Sequence, residues 1–210
     1  MIRLKKIVLI GIIVSSALLV ATVAYIIMPR GKVLTTINAS ILLPYIQEGD
    51  IICRLGNRFW SQYFKDVSLE DKRFSHLGII HISNDNVMVI NAEGNMVHNN
   101  DFVHEVTLQE FLNVACAVGI YRSRNIDGSL IAYTALQYKG FPFDWQFDLS
   151  DEDSLYCSEL LYAVLKKIDP DIRIKTIFFE MLGKEIVPLE AVSNSEYFSE
   201  IYYTAAPGTL

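Results

Sequence analysis

The feature that most constrains this chain is an apolar run close to its amino terminus. Residues 7–28 are 22 consecutive positions without a charged side chain, rich in Ile, Val, Leu and Ala. An α-helix rises about 1.5 Å per residue, so a run of this length spans the roughly 30 Å hydrocarbon core of a bilayer. The sequence therefore predicts a transmembrane anchor with basic flanks over residues 1–32, a linker over 33–46 and one domain over 47–210.

The basic residues around the run predict its orientation. Arg3, Lys5 and Lys6 precede it, whereas Arg30 and Lys32 follow it. The heavier amino-terminal flank favours a cytoplasmic amino terminus and a domain on the periplasmic or extracellular side. Cleavage as a signal peptide, which would secrete the domain, is the alternative. It fits less well, because the apolar run continues past the small residues where cleavage would occur.

The charge of the chain is divided unevenly. Residues 1–32 hold five of the 18 basic residues and none of the 24 acidic ones, so residues 33–210 carry 13 basic against 24 acidic side chains, a formal net charge of −11. A charge of this sign disfavours nucleic acid or an anionic lipid surface as a partner of the domain. The expected partners are the membrane, through the anchor, and a peptide or acyl substrate.

The three cysteines are Cys53, Cys116 and Cys157. An odd count leaves at least one thiol outside any disulfide within the chain. Cys53 and Cys116 stand in apolar, strand-like segments and are expected to be buried hydrophobic residues rather than a disulfide pair, although the sequence leaves their redox state open. No Cys/His grouping has the spacing of metal ligands, so we expect neither a metal site nor a cofactor.

Cys157 opens the segment "CSELLYAVLKK", in which apolar residues recur at helical spacing. The pattern predicts a helix that begins near Cys157 and has Ser154 as its N-cap. A helix amino terminus favours the thiolate and so lowers a thiol pKa, whereas the acidic residues 151–153 act in the opposite direction. The thiol either packs in the core or serves as a nucleophile, and the local sequence does not decide between the two.

Short β-rich segments dominate the first half of the domain. The strands expected at 49–56, 75–83 and 86–94, together with the Cys157 helix, predict an α+β domain whose sheet packs against that helix. His76 lies early in the second strand and is the leading base, although a structural histidine is the alternative. Asn91 and Glu93 share one face of the third strand and either could orient His76. The other histidines are expected to be structural: His81, His98 and His104.

Six short motifs occur in a familiar order: "GDII", "SHLGI", "INAEG", "GFPFD", "YCSELLY" and "VPLEAV". Over residues 47–195 they resemble the YiiX-like branch of the NlpC superfamily. The resemblance implies a circularly permuted papain-like fold, with an antiparallel sheet packed against the nucleophile helix. It also implies Cys157 as nucleophile and His76 as base. The family pattern places a glutamate directly before an alanine on the next strand, but Asn91 precedes Ala92 here.

A Cys-His-Asn arrangement is known to work in papain-type enzymes, so Asn91 is the expected third member and Glu93 the fallback. The implied function is an amidase or peptidase that acts through an acyl-enzyme outside the membrane, with cell-wall peptides as targets if the organism is bacterial. Lipid acyl hydrolysis or transfer, and a non-catalytic binding module that keeps the fold, are the alternatives. An aromatic loop that includes Phe143 and Trp145, together with Tyr156, is expected to line the substrate cleft.

Overall fold

A computed structural model describes residues 37–94, 101–193 and 195–206. The predicted anchor over 1–32 and His98 therefore lie outside the described residues. Within those residues, the longest apolar helices are too short to cross a bilayer.

The centre of the domain is an antiparallel sheet of six strands in the order β4-β3-β2-β1-β5-β8. Strands β6 and β7 form a separate hairpin. The strand bounds are β1 Ile51–Gly56, β2 His76–Ser83, β3 Asn86–Glu93, β4 Phe102–Thr107, β5 Ala115–Ser123, β6 Ile177–Phe179, β7 Lys184–Ile186 and β8 Phe198–Ala205.

Among the described residues, five α-helices connect or cover these strands, after two 3-10 turns at Ala39–Ile41 and Leu43–Tyr45. Their bounds are α1 Phe59–Lys65, α2 Leu108–Leu112, α3 Gly128–Leu136, α4 Cys157–Ile168 and α5 Glu190–Ser193. Helix α4 is amphipathic, as predicted, and its last turn carries Lys166 and Lys167, which suits the negative end of the helix dipole.

The sheet buries both of its faces because side chains alternate along each strand. Leu77 and Ile79 of β2 face α3 and α4 and join the larger apolar cluster. Ile80 faces the other way and packs with Phe111 of α2 in a second cluster. The expected sheet packed against the Cys157 helix is therefore present.

The predicted N-cap of α4 is wrong. The helix begins at Cys157, and the N-cap residue is Tyr156, whose backbone is extended. The Ser154 hydroxyl instead donates a hydrogen bond to Asp151 Oδ2 at 2.7 Å. The Glu159 carboxylate takes the capping role, since its Oε2 accepts the backbone N–H of Tyr156 at 3.2 Å.

Candidate active site

His76 is the first residue of β2, and its ring reaches across to β3. The distance from His76 Nε2 to Asn91 Oδ1 is 3.0 Å. The Asn91 amide nitrogen points to the carbonyl oxygen of His104 at 3.5 Å, which fixes the orientation of the buried amide. An amide oxygen can only accept, so Nε2 carries the proton and Nδ1 is left with a lone pair. The imidazole therefore has the tautomer of a base that acts through Nδ1.

The thiol of Cys157 lies at the first turn of α4, partly exposed to solvent. It accepts hydrogen bonds from the backbone N–H groups of Leu77 and Ser158. Leu77 directly follows His76 in β2. The thiol and the imidazole are thus held by adjacent residues of one strand.

The separation of β2 from β3 explains how a helix on one face of the sheet reaches the residue beside His76. The two strands pair from Ser83 and Asn86 only as far as Ile79 and Ile90. Leu77 lies beyond that last pair, so its N–H is available to the sulfur of Cys157. The His76 ring reaches from β2 to Asn91 of β3 past the same end of the ladder.

Gly78 makes room for this crossing. A Cβ atom at position 78 would lie 2.4 Å from Val89 Cγ1 and 3.2 Å from the Cβ atom of Asn91. The first distance is shorter than real Cβ contacts allow, so a larger residue would push β3 and Asn91 away from β2. The small residue is thus part of what holds Asn91 within reach of His76.

Burial controls the proton affinities of the pair. It raises the pKa of the Cys157 thiol to about 11, against the smaller lowering effects of the two N–H donors and of Arg54. Burial, and then the charge of Arg54, lower the pKa of His76 to about 4. The expected lowering of the thiol pKa by the helix terminus is therefore outweighed by burial. Near neutral pH both groups are uncharged.

Glu93 does not contact His76 in the way expected of the fallback residue. Its Oε1 accepts a hydrogen bond from Arg54 Nη2 at 2.6 Å, in an ion pair. Arg54 is 5% exposed and also donates from Nη1 to the carbonyl oxygen of Phe111 at 2.7 Å. Of the two residues expected to orient the imidazole, Asn91 contacts it, whereas Glu93 forms an ion pair with Arg54.

The aromatic loop lies at the edge of the sheet near the site. Trp145 is 44% exposed, and its ring centroid lies 4.9 Å from that of Phe143. Both rings pack on Gly94, directly after β3, where a Cβ atom would lie within 3 Å of each ring. Tyr156 is buried, and its hydroxyl accepts the backbone N–H of Val187 at 2.8 Å. Trp145 and Phe143 therefore offer surface to a ligand, while Tyr156 supports the loop that precedes Cys157.

Sequence reasoning missed Arg54. A charged residue inside the apolar strand segment "IICRLG" was a usable signal, because a buried arginine requires a partner. It also missed Glu159, whose pKa burial raises to about 8. The burial predicted for Cys53 and Cys116 is found, in β1 and β5 respectively.

Residues 45–200 match the family described as permuted papain-like amidase enzyme, YaeF/YiiX, C92 family. The chain belongs to this family. The membership places the chain among the papain-like cysteine hydrolases and confirms the resemblance found in the motifs. No match was found among curated proteins.

The family's fold is also that of a solved structure, the metalloprotein yiiX from Escherichia coli O157:H7. It matches with a TM-score of 0.64 and 18% sequence identity over 77% of this chain and 99% of that chain. The likeness shows a shared fold. That protein is described as a metalloprotein. In the part of this chain that the structure describes, no three His, Cys, Asp or Glu side chains are grouped as metal ligands would be.

Proposed function

We propose that this C92 family member is a membrane-anchored, extracytoplasmic cysteine amidase or peptidase. Cys157 is the nucleophile, His76 the base and Asn91 the residue that orients the imidazole. The observation that carries the proposal is the hydrogen bond between His76 Nε2 and Asn91 Oδ1, beside a thiol held at the N–H of Leu77.

The chemistry starts from a neutral thiol and a neutral imidazole. As the sulfur of Cys157 attacks the carbonyl carbon, its proton passes to Nδ1 of His76. The new S–C bond makes that carbon tetrahedral, and the electron pair of the carbonyl π bond moves to the oxygen; the C–N bond breaks only when this adduct collapses. The backbone N–H of Cys157, at the helix amino terminus, is placed to stabilise the oxyanion. The imidazolium returns its proton to the leaving amine, which leaves a thioester. Water, deprotonated by the same imidazole, then hydrolyses the thioester and restores the thiol.

The proposed substrates are peptide amides, including cell-wall peptides if the organism is bacterial. Trp145 and Phe143 are proposed to contact the substrate, since their rings line the end of β3 that carries Asn91. The apolar run over 7–28 is proposed to tether the domain on the outer face of the membrane, because it has the length of a bilayer span and the heavier basic flank precedes it.

Labelling of the thiols tests the assignment without a known substrate. The full chain in detergent is treated with iodoacetamide, and the labelling rate of each cysteine is followed by mass spectrometry. Cys157 should label faster than Cys53 or Cys116, and His76→Ala should slow its labelling. Equal rates for the three thiols, or no effect of His76→Ala, would instead favour a non-catalytic binding module.

Product analysis separates amide from ester substrates. The full chain is incubated with muropeptides and, separately, with phospholipid vesicles, and released amines and fatty acids are measured. The amidase proposal expects release from muropeptides that Cys157→Ala abolishes. Release of fatty acid alone would replace it with lipid acyl hydrolysis.

A further inference from the structure

Arg54 is a buried charge in a strand that is otherwise apolar. All six residues of β1 are buried, and Arg54 is the charged one among them. Taking an ion pair out of water costs free energy that apolar residues of similar volume would not, so such a pair is poor evidence of a purely stabilising role. Its position calls for another explanation.

The position of Arg54 is directly beside the candidate base. Arg54 and His76 are partners in the β1–β2 register. The Arg54 guanidinium lies 4.3 Å from the centroid of the Phe111 ring, and the His76 ring lies 5.6 Å from the same ring. Phe111 thus supports both side chains. Its carbonyl oxygen also fixes one end of the guanidinium.

The charges that face His76 come from every element around it. Strand β1 contributes Arg54, β3 contributes Glu93 beside the neutral Asn91, and β4 contributes His104. Arg54 opposes a positive charge on the imidazole, and Glu93 favours one. Because the two are joined at 2.6 Å, their effects on His76 largely offset each other.

Resting on the proposed function, we propose that Arg54 and Glu93 are positioning residues: a charge-balanced clamp that holds His76 against Asn91 and keeps it available as a neutral base. The family pattern has a carboxylate where this chain has Asn91, and this chain has a carboxylate two residues later on the same face of β3. Here Asn91 orients the ring, and the carboxylate of Glu93 serves Arg54.

If Arg54 and Glu93 form such a clamp, removing each of them should shift the pKa of His76 in opposite directions. Arg54→Met leaves Glu93 without its counter-ion, so the pKa of His76 should rise, by about one unit for a close charge. Glu93→Gln removes the attraction for an imidazolium, so the pKa should fall. The double variant should return to within about half a unit of the native value. A purely structural pair would give two shifts of the same sign, or none.

The experiment is an NMR titration of His76 in the full chain, labelled with ¹⁵N-histidine and held in detergent. Each variant is also assayed for the pH profile of Cys157 alkylation by iodoacetamide. Arg122→Met is the matched control, because Arg122 forms a bidentate pair with the buried Asp50 at 2.8 and 2.9 Å beside Ile80 rather than His76. It should leave the titration of His76 unchanged.

Arg54→Lys serves as the conservative variant and as the fallback if Arg54→Met does not fold. It keeps the charge but not the two-point contact, so the pKa of His76 should stay near the native value while Cys157 alkylation slows. The clamp would be overturned if Arg54→Met and Glu93→Gln shifted the pKa of His76 in the same direction, or if neither variant changed it. If His76→Ala left the rate of Cys157 alkylation unchanged, the proposed function would be overturned, whatever the result of the titration.

Discussion

Two histidines on strand β2 have opposite surroundings. His76 stands at the end where β2 and β3 separate, bonded to the neutral amide of Asn91 with Arg54 as its cross-strand neighbour. His81 stands in the paired part of the strand, with its Nδ1 2.9 Å from Glu48 Oε1 and its Nε2 4.0 Å from Glu105 Oε1.

The difference teaches that the partner, and not the residue type, decides what a partly buried histidine does. Two carboxylates around His81 can compensate an imidazolium, so that side chain suits an ion pair. At His76 the Arg54 guanidinium opposes a positive charge, and the Glu93 carboxylate that would favour one is already paired with Arg54. His81 therefore lies between two carboxylates, whereas His76 is surrounded so that it remains neutral and can accept a proton.

The largest expected effect comes from removing each ring in turn. His76→Ala should slow the release of p-nitrophenolate from p-nitrophenyl acetate by about 10³-fold, within the range that general base catalysis contributes. His81→Ala should change the rate by less than about threefold, since that ring is paired with Glu48 rather than with the thiol. Stopped-flow absorbance measures both. Equal losses would break the distinction between the two histidines.

The next largest effect is expected in the way that the free energy of unfolding depends on pH, through His76. The pKa of His76 in the folded chain, about 4, lies below its ordinary value of 6.5, so the unfolded chain binds the proton more readily. The stability that His76 contributes is fully present above pH 6.5 and is lost as pH falls toward 4, by up to about 3 kcal/mol. Urea unfolding at pH 7 and pH 4.5, compared between the native chain and His76→Gln, measures the difference. If the native chain and His76→Gln lose the same free energy of unfolding between pH 7 and pH 4.5, then His76 has its ordinary pKa in the folded chain.

A smaller effect is expected at Asn91. Asn91→Ala should lower the rate of p-nitrophenolate release about tenfold to a hundredfold, because the ring loses the acceptor that fixes its tautomer. Asn91→Asp should place a carboxylate against the imidazole, raise the pKa of His76 and move the acid limb of the pH–rate profile upward from about 4. A rate profile that stays in place after Asn91→Asp would argue against contact between the two groups in solution.

The smallest effect is expected at the other end of the strand. Glu48→Gln should cost about 1 kcal/mol or less, since its pair with His81 is partly exposed. It should leave the alkylation rate of Cys157 unchanged. Thermal unfolding and iodoacetamide labelling of the same sample measure the two quantities. A slower labelling rate would mean that the two ends of β2 are coupled.

Much of the fold could be predicted from the sequence, because its strands and its main helix follow from patterns among residues close together in the chain. The strands β1 to β3 and helix α4 follow from alternation, helical spacing and the order of the motifs. Burial is not local, so the high pKa of the Cys157 thiol was missed. Arg54 was missed for a similar reason, since its partners Glu93 and Phe111 are 39 and 57 residues away in sequence. Edge strand β8 was not predicted, although it pairs with β5 over most of its length.

The bond between the Cys157 thiol and the N–H of Leu77 has a consequence for how this site tolerates change. The donor is the main chain itself, which every residue except proline supplies. A survey that replaces side chains one at a time would find Leu77 to be an ordinary packing position and would overlook its contact with the sulfur. The pKa of this thiol therefore depends in part on the position at which β2 and β3 stop pairing, and the identity of one residue does not determine that position.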